Sequence, residues 1–256
     1  MRLDEVLEFN RKIKFPKSEK KFKIGIISNI TINIFKYFIE YELKKKGLNA
    51  EVYIGDYNNL VQNAYKYKNF DTVIIFHELL NISESFEKYK ATNDLDKIKK
   101  FFLKDLKTSF NILQNCPLVL VNDFNYLSLR SNLKTSVKFE KICKNLNKFI
   151  SRKNKNIHVV KISKFFKTFG IKKYTDKKNY KISKTLYNSK FMLEYAKKIS
   201  FSILAQSGKS KKAIVLDCDN TLWNGVIGEN KENKEKNWKV FKQIQFIFKR
   251  LKKKGF

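Results

Sequence analysis

Five short runs in this chain are apolar along most of their length, and each of the first four leads into a stretch with helical spacing. The runs are Phe22–Ile27, Glu51–Ile54, Thr72–Phe76, Leu118–Val121 and Ile157–Val160. A strand with one wet face alternates polar and apolar residues, whereas a strand apolar throughout is covered on both faces. Strands of that kind alternating with helices specify a parallel sheet between two helical layers. The helical stretches run from Ile32 to Lys46, closed by Gly47, then over 60–68, 83–115 and 137–152. Within the third, Thr92-Asn93-Asp94 offers a new cap. The fold class expected is α/β, a doubly wound parallel sheet.

The domain reading follows from the same pattern. Residues 1–20 form an amphipathic helix (Leu3, Val6, Leu7) and a polar connector. Residues 21–208 form the α/β domain, with an ordered connector over 170–188 and a closing helix from Phe191 to Ala205 that stops near Gly208. From 209 the pattern restarts: Ala213-Ile214-Val215-Leu216 reads as a buried strand, followed by a polar loop and a helix from Trp238 to Lys254. One strand and one helix leave their apolar faces and strand edges open. The expectation is that the second domain is incomplete at Phe256. No apolar run approaches the roughly 18 residues of a spanning helix. The acidic start Asp4-Glu5 does not read as a signal peptide, and three scattered cysteines (Cys116, Cys143, Cys218) suit a reducing compartment. The localisation expected is cytoplasmic, with no membrane partner.

A formal net charge of +31, from 55 Lys and Arg against 24 Asp and Glu, raises the question of nucleic acid. Only five of those cations are arginines: Arg2, Arg11, Arg130, Arg152 and Arg250. Arginine is the better reader of phosphates and base edges. The lysines are spread over every segment, and Asn, Ile, Phe and Tyr are enriched while Gly and Pro are scarce. That is the signature of AT-rich coding, and the charge is read as compositional, with a field that still attracts acidic partners.

Chemistry concentrates in Leu216-Asp217-Cys218-Asp219-Asn220-Thr221-Leu222-Trp223. Two carboxylates separated by one residue follow an apolar run, at the strand end where α/β folds place their sites. Asp217 can attack phosphorus and form an aspartyl phosphate. Asp219 can handle the leaving-group proton. Oxygen ligands beside a phosphate suit Mg²⁺, and Thr221 can bond the loop and hold the acids. Cys218, between them, could carry an acyl group as a thioester, although two neighbouring carboxylates oppose the thiolate unless a cation offsets them. Trp223 and Trp238 read as packing residues.

The run Asp217-Cys218-Asp219-Asn220-Thr221 resembles motif one, D-x-D-x-T, of the haloacid dehalogenase (HAD) superfamily. The longer string Leu216–Glu229, LDCDNTLWNGVIGE, resembles the FkbH-like branch of the HAD phosphatases, with Asn224 where that branch often has glycine. The resemblance implies Asp217 as nucleophile and metal ligand. It implies Asp219 as general acid/base that also lends its backbone carbonyl to Mg²⁺, with Thr221 in support. It also implies 1,3-bisphosphoglycerate or a similar phosphorylated three-carbon acid as substrate, and a phosphopantetheinyl acyl carrier protein that accepts the glyceryl group. The later Ser or Thr, lysine and acidic ligand of such enzymes would lie past Phe256, so the expectation is a fragment inactive on its own. The alternatives are a general small-molecule phosphatase and a serine esterase.

FkbH-like proteins carry an SGNH-hydrolase-like domain of flavodoxin-like architecture ahead of the HAD domain, and 21–208 is similar to it. Ser28, in Ile26-Ile27-Ser28-Asn29, stands where those hydrolases keep a nucleophile. Their G-x-N-D block is missing from Phe76-His77-Glu78-Leu79-Leu80-Asn81, and three residues after Asp176 stands Asn179 in place of a histidine. The resemblance therefore implies a degenerate hydrolase used for docking or acyl handling. His77, just past the third strand, reads either as a ligand residue or as a loop histidine bonded to nearby backbone; His158 falls mid-strand.

Overall fold

The computed structural model describes residues 2–78, 95–125, 133–152, 155–176, 178, 187–210, 214–226 and 238–252. The chain divides into two compact units, Met1–Lys209 and Ser210–Phe256.

In the first unit the strands are β1 (Phe22–Ser28), β2 (Ala50–Ile54), β3 (Thr72–Phe76), β4 (Leu118–Asn122) and β5 (Ile157–Val160). All pairs are parallel and the order is β2-β1-β3-β4-β5. The expected α/β fold with a doubly wound sheet is what forms, in the flavodoxin-like strand order. The helices are α1 (Leu3–Lys12), α2 (Phe35–Lys44), α3 (Leu60–Tyr67), α4 (Leu95–Ile112), α5 (Leu133–Ser151), α6 (Ser163–Phe169), α7 (Ile171–Tyr174) and α8 (Ser189–Gln206).

Period-two alternation sorts the strand residues into two cores. Ile24, Ile26, Ile74, Phe76, Leu118 and Leu120 pack on one face with α1, α2 and α8, around Phe35, Phe38 and Tyr195. Ile27, Val73, Ile75, Val119 and Val121 pack on the other with α3, α4 and α5, around Tyr67, Phe110 and Leu146. The first helix is part of this body, because Val6 is fully buried and α1 packs on α2. Gly25 lets α3 approach the sheet: a Cβ there would lie 2.5 Å from ring atoms of the buried Tyr67.

Several local expectations change. The helix read over 137–152 starts at Leu133. The connector read over 170–188 contains α7 and, at its edges, an antiparallel bridge between Thr175 and Tyr187. The helix read from residue 83 is described from Leu95, so the cap at 92–94 lies outside the described residues.

In the second unit the helix expected after the polar loop is α9 (Trp238–Lys252). Ile214–Leu216, read as a buried strand, pairs with no strand among the described residues, and Val215 is 96% exposed. Apolar sequence supplies a strand's tendency, but its hydrogen bonds come from a neighbour.

Candidate functional site

The acid motif of the second unit folds into a tight turn. The carbonyl of Cys218 accepts the N–H of Leu222 at 2.8 Å and, more loosely, those of Thr221 at 3.3 Å and Trp223 at 3.4 Å. Asn220 takes a left-handed conformation, φ 55°, which asparagine tolerates better than most residues. Its Oδ1 accepts the N–H of Gly225 at 2.9 Å, and Gly225 itself sits at φ 81°, where a side chain would be strained. From α9, Gln245 Nε2 donates to the carbonyl of Leu222 at 2.7 Å. The turn is thus tied at three points, and its winding brings Asp219 and Trp223 together. The backbones form a bridge, and the indole Nε1–H donates to Asp219 Oδ1 at 2.8 Å.

Asp217 and Cys218 are exposed, while Asp219, Thr221 and Trp223 are half-buried. Asp217, Asp219, Thr221 and Cys218 therefore share one turn. Thr221 joins it through its backbone N–H, and the contact that fixes Asp219 comes from Trp223. Trp223, read as a packing residue, also bonds Asp219; a lone N–H donor four residues from an acid in a turn-forming string is the signal for that contact.

Among the described residues no group of three or more His, Cys, Asp and Glu side chains converges. The oxygen donors of the turn nonetheless fit Mg²⁺, which binds through one or two carboxylates and completes its shell with water and substrate phosphate oxygens. Asp217 through its carboxylate and Asp219 through its backbone carbonyl are the residues that would hold it, and the cation would there offset phosphate charge.

The other candidates lie at the carboxyl edge of the first unit's sheet. Strands β1 and β3 flank the point where the strand order reverses, the usual place for a ligand crevice. Among the described residues the edge is tied by its own side chains. Asn29, after β1, accepts the N–H of Glu78 at 2.7 Å and donates to its carbonyl at 2.8 Å. Asn122, ending β4, accepts the N–H of His77 at 2.9 Å and donates to its carbonyl at 3.0 Å. The Ser28 hydroxyl is buried and turned on its own chain, donating to the Ile30 carbonyl and accepting the Ile30 N–H.

His77 and Ser28 do not meet. Ser28 continues the side of Ile24 and Ile26, while the His77 ring stacks on Phe102 in the opposite core at 5.6 Å. Among the described residues neither buried ring nitrogen of His77 has a hydrogen-bond partner, so the expected backbone-bonded ring is not what they show. Burial pushes its pKa down to about 3 and keeps it neutral. Burial likewise raises the Glu78 carboxyl to about 7; the Tyr187 hydroxyl that donates to Oε1 opposes this, and Asp123 adds to it. Among the described residues the Ser28 hydroxyl bonds only Ile30 and meets no base, which is not the arrangement of an activated nucleophile. His158 lies within β5, beside Leu120 of β4.

No protein-family model and no curated protein matches the chain. Among solved structures, it is similar to the N-terminal part of the protein BF1531 from Bacteroides fragilis, which contains a phosphatase domain and is complexed with Mg. The likeness has a TM-score of 0.72 at 20% identity and covers 100% of this chain and 72% of that one. The two share a fold. A second match, the salicylyl-acyltransferase SsfX3 from a tetracycline biosynthetic pathway, has a TM-score of 0.44 at 12% identity. It covers 75% of this chain and 57% of that one. No helix among the described residues is long and apolar enough to cross a membrane.

Proposed function

We propose that the chain belongs to a Mg²⁺-dependent phosphatase of the HAD type, FkbH-like, in which the second unit carries the nucleophile. The observation that carries this reading is the paired carboxylates Asp217 and Asp219, two residues apart in a tied turn, with Asp217 facing solvent and Asp219 held at one oxygen. The likeness in fold to a protein with a phosphatase domain supports it.

In this reading Asp217 attacks the phosphorus of a phosphate monoester. The new Asp217 O–P bond forms as the ester P–O bond breaks, and Asp219 gives its proton to the departing alkoxide. Water then cleaves the aspartyl phosphate to inorganic phosphate, and Mg²⁺ would neutralise phosphate charge. The substrate class is a phosphorylated three-carbon acid such as 1,3-bisphosphoglycerate. The acyl phosphate at its other end supports transfer to a phosphopantetheinyl carrier thiol: a C–S bond forms, the acyl C–O bond breaks and phosphate leaves. The first unit, with its sheet edge closed, serves as a docking or acyl-handling body in place of an esterase, and the positive field suits an acidic carrier.

The test is peptide mapping of the full-length protein carrying this chain, quenched during turnover with Mg²⁺ and 1,3-bisphosphoglycerate. Phosphate bound covalently at Asp217, and its loss together with phosphate release in Asp217→Asn, is the expected result. Undiminished release in that variant would remove Asp217 from the reaction.

A further inference from the structure

We propose that Trp223 is a positioning residue of the acid turn: its indole N–H holds Oδ1 of Asp219, so that Oδ2 is the oxygen presented to the leaving group. The inference rests on the phosphatase reading for its catalytic meaning, but the contact it describes stands by itself.

A free aspartate side chain rotates about χ1 and χ2, and either oxygen can face the substrate. In this turn that freedom is removed from two sides. The backbone bridge between residues 219 and 223 sets the separation, and the indole N–H reaches Oδ1 at 2.8 Å, within the range of a well-formed N–H···O hydrogen bond. Trp223 is in turn anchored. Its N–H and that of Leu222 both turn toward the Cys218 carbonyl, Gln245 of α9 holds the Leu222 carbonyl, and Asn220 closes the loop on Gly225. Indole suits the task because Nε1–H is a donor with no acceptor capacity, so it can bond the carboxylate but cannot compete for the proton that Asp219 must pass on. A serine or histidine at 223 could do both. Fixing the carboxylate in advance removes an orientational cost from the proton-transfer step and leaves substrate binding untouched.

The chain has two tryptophans, Trp223 and Trp238, so its indole ¹⁵N–¹H resonances are assigned with Trp223→Phe and Trp238→Phe. In the intact protein the Trp223 indole proton is expected downfield and slow to exchange with solvent. Asp219→Asn, which keeps a weaker acceptor, should move it upfield, and Asp219→Ala should give it solvent-like exchange. In turnover by the full-length protein, Trp223→Phe keeps an aromatic ring but loses the donor, and kcat for phosphate release should fall about 10- to 100-fold with KM within twofold. A Trp223 resonance indifferent to both Asp219 variants in folded protein overturns the proposal, even if Trp223→Phe is slow, because the loss would then be one of packing. If Asp217→Asn releases phosphate normally, the phosphatase reading fails, while the indole resonance still decides whether Trp223 holds Asp219.

Discussion

The two polar clusters of this molecule, the sheet edge of the first unit and the acid turn of the second, use similar residues to opposite ends. At the sheet edge Ser28, Asn29, His77, Glu78, Asn122 and Asp123 are all buried, and, apart from the His77 ring, their side chains bond the chain itself. Asn29 and Asn122 hold the backbone of Glu78 and His77, and Asp123 accepts both the backbone N–H and the hydroxyl of Ser163 at the start of α6. In the acid turn the hydrogen bonds also run inward, but they are spent on the backbone and on one carboxylate oxygen, leaving Asp217 and the Cys218 thiol in solvent. A position beyond a strand end is therefore not in itself a site; the difference lies in whether polar atoms are satisfied by the protein or left available.

The strongest way to break the comparison is to open the sheet edge. Asn122→Ala leaves the buried N–H and carbonyl of His77 without partners, at about 1–3 kcal/mol each. A loss of about 4 kcal/mol is expected from the denaturant midpoint of the first unit. A loss under 1 kcal/mol would mean that these side chains decorate the edge and do not hold it.

The neighbours His77 and Glu78 sharpen it next. His77 is neutral in the fold down to about pH 3 but titrates near 6.5 when unfolded, so its contribution to stability rises with pH between those values. Glu78 stays protonated in the fold up to about pH 7 but ionises near 4.5 when unfolded, so its contribution falls as pH rises from 4.5 to 7. Between pH 4.5 and 6.5 the two slopes oppose each other. Glu78→Gln should unmask the His77 slope, making stability rise by about 1.4 kcal/mol per pH unit relative to wild type across that window. His77→Leu should unmask the opposite slope, and urea titrations at four pH values would separate them. Parallel pH profiles for wild type and both variants would show that neither group is held in the state its burial dictates.

The smallest effect is expected in the acid turn. Asn220→Ala loses the bond to Gly225 and places a less tolerant residue at φ 55°, costing about 1 kcal/mol within the second unit. Faster amide exchange at Gly225, with the first unit's amides unchanged, is the observation that checks it.

The layout of the sheet was legible because Ile24, Ile26, Ile74 and Phe76 alternate with Ile27, Val73 and Ile75, and burial on both faces leaves no other arrangement for such strands. The acid turn was legible because its members are consecutive. The closure of the sheet edge was not, since Asn29 meets Glu78 across 49 residues and Tyr187 meets Glu78 across 109; sequence names the polar groups but not their partners. Ser28 and His77 looked like members of one edge, yet they point into different cores, a distinction set by one residue of parity. Ile214–Leu216 shows the converse, an apolar run with no ladder partner among the described residues.

The asparagines, abundant in a composition that reads as a by-product of coding, carry a structural consequence. An asparagine side chain ends in an amide, so it can pair with a peptide unit as another strand would. Asn29 and Asn122 do this at Glu78 and His77, Asn147 does it at Phe124 with bonds of 2.8 and 2.9 Å, and Asn63 at Asp56 with bonds of 3.1 and 2.7 Å. Each pair is a rung of the ladder with no rail behind it. The loop after β3 is thereby held to the ends of β1 and β4, and the loops after β2 and β4 to the helices α3 and α5, without being strands.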